Sequence, residues 1–270
     1  MSLSAELPRL IATDLDGTLL GSQGAISART RRALERARAA GIELVMVTGR
    51  PPRHVAKIAG VVELSGIVIC VNGALIYDFG RELVVREERL PAAVARALVT
   101  ALRSRMPGIA FAVEVGLEFG WEPLYGLHSK RTEPPHLPIA DAVFLCERGV
   151  SKLIARHPQL SAEEVIAQSL DLFPELGCAS HSGAPFVEIS AAEVSKGAAL
   201  AAYCSERSID RKQVLAFGDM PNDLPMLEWA GHSVAMGNAH PSVLAAVHEI
   251  TLSNQQDGVA MVVERLLAGR

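Results

Sequence analysis

The sequence predicts an α/β protein, a parallel-sheet core interrupted by an inserted α+β domain. Three observations carry this. Short apolar runs alternate with helical stretches over the first 80 or so residues and again after residue 185, the βαβ grammar of a parallel sheet with right-handed crossovers. The residues between break that alternation. Polar clusters rich in carboxylates follow the apolar runs directly, and open parallel sheets bind ligands beyond those strand ends.

Residues 9–13 (RLIAT) form a nearly all-apolar run, as expected of a strand buried on both faces. Residues 27–40 (SARTRRALERARAA) read as a helix, with Ser27 as N-cap and Gly41 as the stop. Residues 42–47 (IELVMV) and 66–71 (GIVICV) are the second and third strands. Between about 81 and 184 the pattern changes. Helices at 91–105 and 161–170 mix with strand-like segments at 83–86, 109–115, 152–156 and 178–181, and the proline-bearing stretch 122–138 reads as loop. Strands at 186–189 and 214–217 then flank a helix at 196–207. A helix at 222–229, a short strand at 232–235 and a final helix at 258–268 complete the chain. The expected domains are therefore 1–81 with 185–270, and an insert at 82–184.

With 26 Lys plus Arg against 30 Asp plus Glu over 270 residues, the net charge is −4, which argues against a general nucleic-acid binder. No run approaches the ~18–20 apolar residues of a membrane span, and residues 1–16 lack the apolar stretch of a signal peptide. The expectation is a cytoplasmic protein with neither membrane nor nucleic acid as partner. Cys70, Cys146, Cys178 and Cys204 lie far apart without a CxxC pair, and read as four buried thiols in a reducing compartment. The oligomeric state is left open.

The chemistry gathers at the strand ends. Asp14-Leu15-Asp16-Gly17-Thr18 follows the first strand and Thr48-Gly49-Arg50 the second. Ser195-Lys196-Gly197 opens a helix, and Gly218-Asp219-Met220-Pro221-Asn222-Asp223 follows the strand at 214–217. A single Asp after a strand is most often a turn former. Two such pairs at matching strand ends repel one another, and a hard divalent cation, Mg²⁺ first, offsets that. Asp14 at the strand tip suits a nucleophile, and Asp16 suits a group that gives a proton to a leaving oxygen and later takes one from water. Gly17 allows close backbone approach to a phosphate, and the amides of that turn can form an anion nest. The Thr48 hydroxyl and the Gly49 amide offer neutral donors. Lys196 offers a positive charge at a helix start, where the dipole disfavours one. Arg50 fits either substrate contact or structural pairing. His128 and His181 read as satisfied or exposed, Trp121 fits either domain core or a site entrance, and the Arg-rich helix reads as a solvated face.

Taken in order, DLDGTLL at 14–20, Thr48-Gly49-Arg50, Lys196 and GDMPND at 218–223 resemble the four motifs of the haloacid dehalogenase-like (HAD) phosphohydrolases. Asn72-Gly73-Ala74, the stretch Ala235-Met236-Gly237-Asn238-Ala239 and the long insert resemble the Cof-type branch with its large C2-type α/β cap. The resemblance implies a Rossmann-like parallel-sheet core with an inserted α+β cap domain. It also implies a Mg²⁺-dependent phosphomonoester hydrolase acting on small soluble phosphorylated metabolites, sugar phosphates first and flavin or pyridoxal phosphates second, through an aspartyl-phosphate on Asp14. By position, Asp14 would be nucleophile and metal ligand, and Asp16 the general acid/base with its backbone carbonyl on the metal. Asp219 would be a direct ligand, and Asp223 would hold the metal's waters or Lys196. Thr48, Gly49, Lys196, Asn222 and the Leu15 amide would hold the phosphate, with Arg50 and Asn72 as further substrate contacts. Closure of the cap would exclude water during transfer. Two other readings stand beside this one: a phosphotransferase or mutase sharing the intermediate, and a non-catalytic phospholigand-binding regulator, against which the intact Asp14/Asp16 pair argues.

Overall fold

The first apolar runs become strands β1 (Leu10–Thr13), β2 (Glu43–Val47) and β3 (Ile67–Cys70), buried along almost their whole length as in a sheet covered on both faces. The computed structural model describes residues 7–58, 60–129 and 135–268. Strands β4 (Leu75–Asp78) and β5 (Leu83–Glu87) follow. Next come β6 (Ala110–Val115), β7 (Glu118–Trp121), β8 (Lys152–Arg156), β9 (Cys178–Ser180) and β10 (Val187–Ser190). The last three are β11 (Val214–Gly218), β12 (His232–Ala235) and β13 (Glu249–Ile250).

Eight strands form one sheet in the order β13-β12-β11-β1-β2-β3-β4-β5, parallel from β13 through β3, with β4 antiparallel to β3. The two outer segments of the chain thus build one sheet, as expected. Its register sets where the loops emerge. Thr13 lies opposite Phe217 on one side and Met46 on the other, and the Asp14 N–H donates to the Phe217 carbonyl at 3.0 Å. The loops after β1, β2 and β11 therefore leave the sheet at one level. Helices start where the capping residues predict: the Ser27 hydroxyl accepts the Thr30 N–H ahead of the helix Ala28–Ala39, and the Ser195 hydroxyl accepts the Ala198 N–H ahead of Lys196–Glu206. The helix expected at 222–229 is split into a 3₁₀ turn, Pro221–Asp223, and an α-helix, Leu224–Trp229. Pro221 and Pro225 lack N–H donors, and each falls in a first turn, where that donor is not needed.

The second sheet, β7-β6-β8-β10-β9, is antiparallel throughout. Alternate residues of its strands serve opposite faces. Phe111, Val113 and Leu153 pack with Leu98 and Leu102 of the helix Ala92–Arg105, while Ala110, Ala112 and Ile154 pack with Phe119, Trp121 and Tyr125. Trp121 is therefore core.

Several expectations change. The strand expected at 186–189 with the parallel sheet is β10, which pairs with β8 and β9 instead. The segment at 83–86, expected in the insert, is β5 at the edge of the eight-stranded sheet. The two compact units are Met1–Val85 with Ser195–Arg270, and Arg86–Val194. A four-residue apolar run reads alike in either sheet, so only its pairing partner assigns it. Within the stretch 122–138, Pro123–Ser129 is helical, with Pro123 in the tolerated first turn; residues 130–134 lie outside the described residues. None of the four cysteines forms a disulfide; three are buried and Cys178 is half-buried. Burial pushes the Cys146 thiol up to about 12, which makes it inert. Among the described residues no helix is long and apolar enough to cross a membrane.

Candidate active site

Asp14 leaves β1 while Asp219 and Asp223 leave β11, and all three carboxylates are buried, at 5%, 5% and 0% exposure. Lys196, 1% exposed at the first position of its helix, donates through Nζ to Asp14 Oδ1 at 2.6 Å and to Asp223 Oδ1 at 2.5 Å. Asp223 Oδ2 accepts the backbone N–H groups of Asp219 and Met220 at 2.9 and 3.0 Å. Asp223 is thus a strut that fixes both Lys196 and the Asp219 turn. Asp219 Oδ1 accepts the Thr18 hydroxyl at 2.8 Å. One oxygen from each of Asp14, Asp219 and Asp223 lies within 4.8 Å of the others.

Three buried carboxylates share one ammonium, and the electrostatics reflect the excess. Burial raises Asp14 well above the usual carboxylate range, with Lys196 opposing and Asp223 and Asp219 adding to the rise. Burial and the Asp223 charge push Asp219 up to about 7. Burial works against the Lys196 charge too, yet Asp14 and Asp223 outweigh it and raise its pKa. Uncompensated buried negative charge is unfavourable, and an all-oxygen donor set of this kind fits a hard divalent cation.

The Asp16 carboxylate lies outside this cluster; the metal contact expected of Asp16 is through its backbone carbonyl and not its side chain. Its side chain is half exposed and held in a fork by Arg50, Nε to Oδ2 at 2.6 Å and Nη2 to Oδ1 at 2.5 Å. Arg50 thus has Asp16 as its partner, and Asp223 is the third carboxylate of the cluster. Thr48 is fully buried; its hydroxyl accepts the Arg50 N–H at 3.1 Å and its carbonyl accepts the Asn72 N–H at 3.0 Å. Gly49 lies between them in the chain, and the Leu15 side chain is buried one residue beyond Asp14. Asn222 Nδ2 donates to Asn72 Oδ1 at 3.1 Å, leaving Asn72 Nδ2 and Asn222 Oδ1 buried without a hydrogen-bond partner. Asn72 follows Val71, and both have a positive φ (57° and 55°), a rare backbone for a β-branched residue such as valine and the kind of strain that collects at functional sites.

Sequence reasoning gave no role to three residues that brace the site. Thr18 holds Asp219, and its only signal was membership of the Asp-Gly-Thr run. Asn238 Nδ2 donates to the Gly17 carbonyl at 2.9 Å and its Oδ1 accepts the Asn254 N–H at 3.0 Å. Asn254 Nδ2 in turn donates to the Leu20 carbonyl at 2.7 Å. Asn238 falls in the stretch noted for its resemblance, while Asn254 sits in an undistinguished polar run. His181 lies 3.8 Å from Glu163, and the side chain of His128 is outside the described residues.

Comparison with known proteins identifies the family. A family model for haloacid dehalogenase-like hydrolases matches residues 11–263. The 5-amino-6-(5-phospho-D-ribitylamino)uracil phosphatase YwtE of Bacillus subtilis is 29% identical, over 97% of this chain and 99% of its own length. Pyridoxal phosphate phosphatase YbhA of Escherichia coli is also 29% identical, over 94% and 97%. Among solved structures, TM0651 from Thermotoga maritima superposes with a TM-score of 0.75 at 26% identity, covering 96% of this chain and 97% of its own. The HAD subclass IIB sugar phosphatase BT4131 gives 0.81 at 20% identity over 97% and 100%, a likeness of fold. With a match spanning nearly the whole length, the chain belongs to the haloacid dehalogenase-like hydrolase family and is a phosphatase.

Proposed function

We propose that this phosphatase is a Mg²⁺-dependent phosphomonoester hydrolase of small soluble metabolites, acting in the cytoplasm through an aspartyl-phosphate on Asp14. Sugar phosphates are the first class to test and phosphorylated cofactors the second. The observation that carries the reading is the contact of buried Lys196 with Asp14: an ammonium fixed from behind by Asp223 engages one oxygen of the strand-tip carboxylate and leaves Oδ2 for attack. Asp14, Asp219 and the Asp16 backbone carbonyl would hold the metal, with Asp223 behind them. Mg²⁺ supplies neutralising charge for the phosphoryl oxygens and the carboxylates around them.

The residues of the chain divide the remaining work. The Thr48 hydroxyl, the Gly49 and Leu15 amides, Lys196 and Asn222 hold the phosphoryl oxygens. Asp14 Oδ2 attacks phosphorus, the bond to the leaving oxygen breaks, and Asp16 gives that oxygen its proton. Asp16 then takes a proton from water, the water oxygen attacks phosphorus, and the bond to Asp14 breaks to release inorganic phosphate. Both Asp16 oxygens are engaged by Arg50, so the fork opens during turnover and leaves Arg50 beside the substrate. The second unit, Arg86–Val194, is assigned the choice of leaving group.

The near-isosteric Asp14→Asn change removes the attacking oxyanion, and phosphate release from a panel of sugar and cofactor monophosphates is expected to vanish. Wild-type turnover in that variant would end the proposal. Product analysis separates hydrolysis from transfer, since free phosphate marks the former and an isomerised sugar phosphate the latter.

A further inference from the structure

The eight-stranded sheet ends at β5, and no strand among the described residues pairs with its outer side. Such an edge offers a row of backbone donors and acceptors, and edges are normally blunted by brevity, proline, a bulge or charge. Here Leu83 and Val85 point to one face and are 52% and 51% exposed. The run itself, Arg81-Glu82-Leu83-Val84-Val85-Arg86-Glu87, is self-complementary when read antiparallel.

We propose that β5 pairs with β5 of a second copy of this chain, antiparallel about a two-fold axis at Val84. In that register Val84 faces its own copy and Leu83 faces Val85, so four exposed apolar side chains join on one face. Glu82 faces Arg86, while Arg81 lies in the turn before the strand beside Asp78 and Glu87 stays with Arg89 and the Ser151 hydroxyl. Directly opposed side chains in an antiparallel pair sit ~4.5–5.5 Å apart at Cβ, close enough for each pair to interact. The alternatives are penalised. A slip of one residue in one direction sets Arg81 against Arg86, and in the other Glu82 against Glu87; each slip also moves the apolar side chains out of register. Glu82 enters the strand with φ 52°, so its reach to the partner's Arg86 depends on the long side chains and not on the ladder. Within one copy Arg86 pairs with Glu88 at 2.9 Å, but both are about half exposed, and an exposed pair exchanges partners at little cost. The result is an isologous dimer in which each copy gives and receives the same contacts.

Sedimentation equilibrium of the full chain between about 1 and 500 µM tests this, since a five-residue strand pair is a small interface of the weak, concentration-dependent kind. The wild-type protein is expected to form a dimer. Arg86→Glu turns two attractive cross-strand pairs into repulsive ones and is expected to weaken it by about tenfold or more. The double change Glu82→Arg with Arg86→Glu restores both pairs in swapped order and is expected to restore association. Circular dichroism melts of each variant check that the monomer still folds. A monomer throughout this range, a dimer indifferent to Arg86→Glu, or a double variant no tighter than the single one would each overturn the proposal.

Discussion

Lys196→Met tests whether the buried ammonium holds the carboxylate cluster together. Methionine keeps most of the stem's volume, so packing changes little while the charge goes. Lys196 is the cation bonded to both Asp14 and Asp223, and its loss leaves three buried carboxylates with none. Removing one member of a buried pair costs about 3–5 kcal/mol. For a protein of this size that is a fall in Tm of roughly 6–20 °C. The sign of the pH dependence follows from the raised carboxyls. Asp219, pushed up to about 7 by burial and the Asp223 charge, binds more protons folded than unfolded. The contribution of such a group falls as pH rises from ~4 toward about 7 and is constant above. Losing Lys196 removes a charge that opposes the rise at Asp14, so the variant is hurt more at pH 8 than at pH 5. Mg²⁺ replaces the missing positive charge and is expected to recover much of the loss. Thermal denaturation at both pH values, with EDTA or with millimolar Mg²⁺, reads all of these effects. A metal-free variant within 0.5 kcal/mol of wild type at pH 8, on the order of a neutral surface change, would refute the reasoning. So would a loss that neither acid nor Mg²⁺ alters, which would mark a packing defect.

Gly17→Ala places a methyl against the Asp219 carboxylate at a φ of 81°. Strain of ~1–2 kcal/mol and about a tenfold or greater loss of Mg²⁺ affinity by calorimetry are expected; unchanged affinity would deny the close approach. Arg50→Ala frees Asp16 from its fork, and kcat/KM is expected to fall by about tenfold or more through lost orientation, a result that steady-state kinetics would refute by matching wild type. Glu87 is opposed by burial but held below the usual carboxylate range by Arg89 and by the Ser151 hydroxyl. Its contribution is present above the unfolded value and lost as pH falls through the folded one, so Glu87→Gln is expected to cost up to about 1 kcal/mol at pH 7 and progressively less as the medium is made acidic. A cost that persists in acid would point to packing instead.

The sequence was most legible where the signal is local. An apolar run that ends in an aspartate places a carboxylate at a strand tip whatever surrounds it, and Asp14 and Asp219 are found there. Lys196 was legible for a related reason. A cation at a helix start runs against the dipole, and the reason it stands there is the pair of carboxylates it meets. Pairings across long stretches of chain were not legible. Asp16 with Arg50, Asn72 with Asn222 and Asn238 with the Gly17 carbonyl each depend on strand register, which the local pattern does not encode. The strand Val187–Ser190 failed in the same way, because its composition suits either sheet and only its partners β8 and β9 decide.

The glycines bring out a different limit. Gly17 reads in the sequence as room for a phosphate, yet its missing Cβ makes room for the Asp219 carboxylate. Gly73, at a φ of 102°, sits where a Cβ would strike the Ser195 carbonyl, immediately before Lys196. Gly197 clears the Pro225 carbonyl, and Gly218 clears the Asp223 side chain. Four glycines from four segments thus let backbone pack against backbone or carboxylate around one point. That closeness is what brings three carboxylate oxygens within 4.8 Å of one another. A methyl at any of the four would leave every ligand in the sequence and still push the segments apart. The identity of the carboxylates is therefore only half of the cluster, and their spacing, set by residues that have no side chain, is the other half.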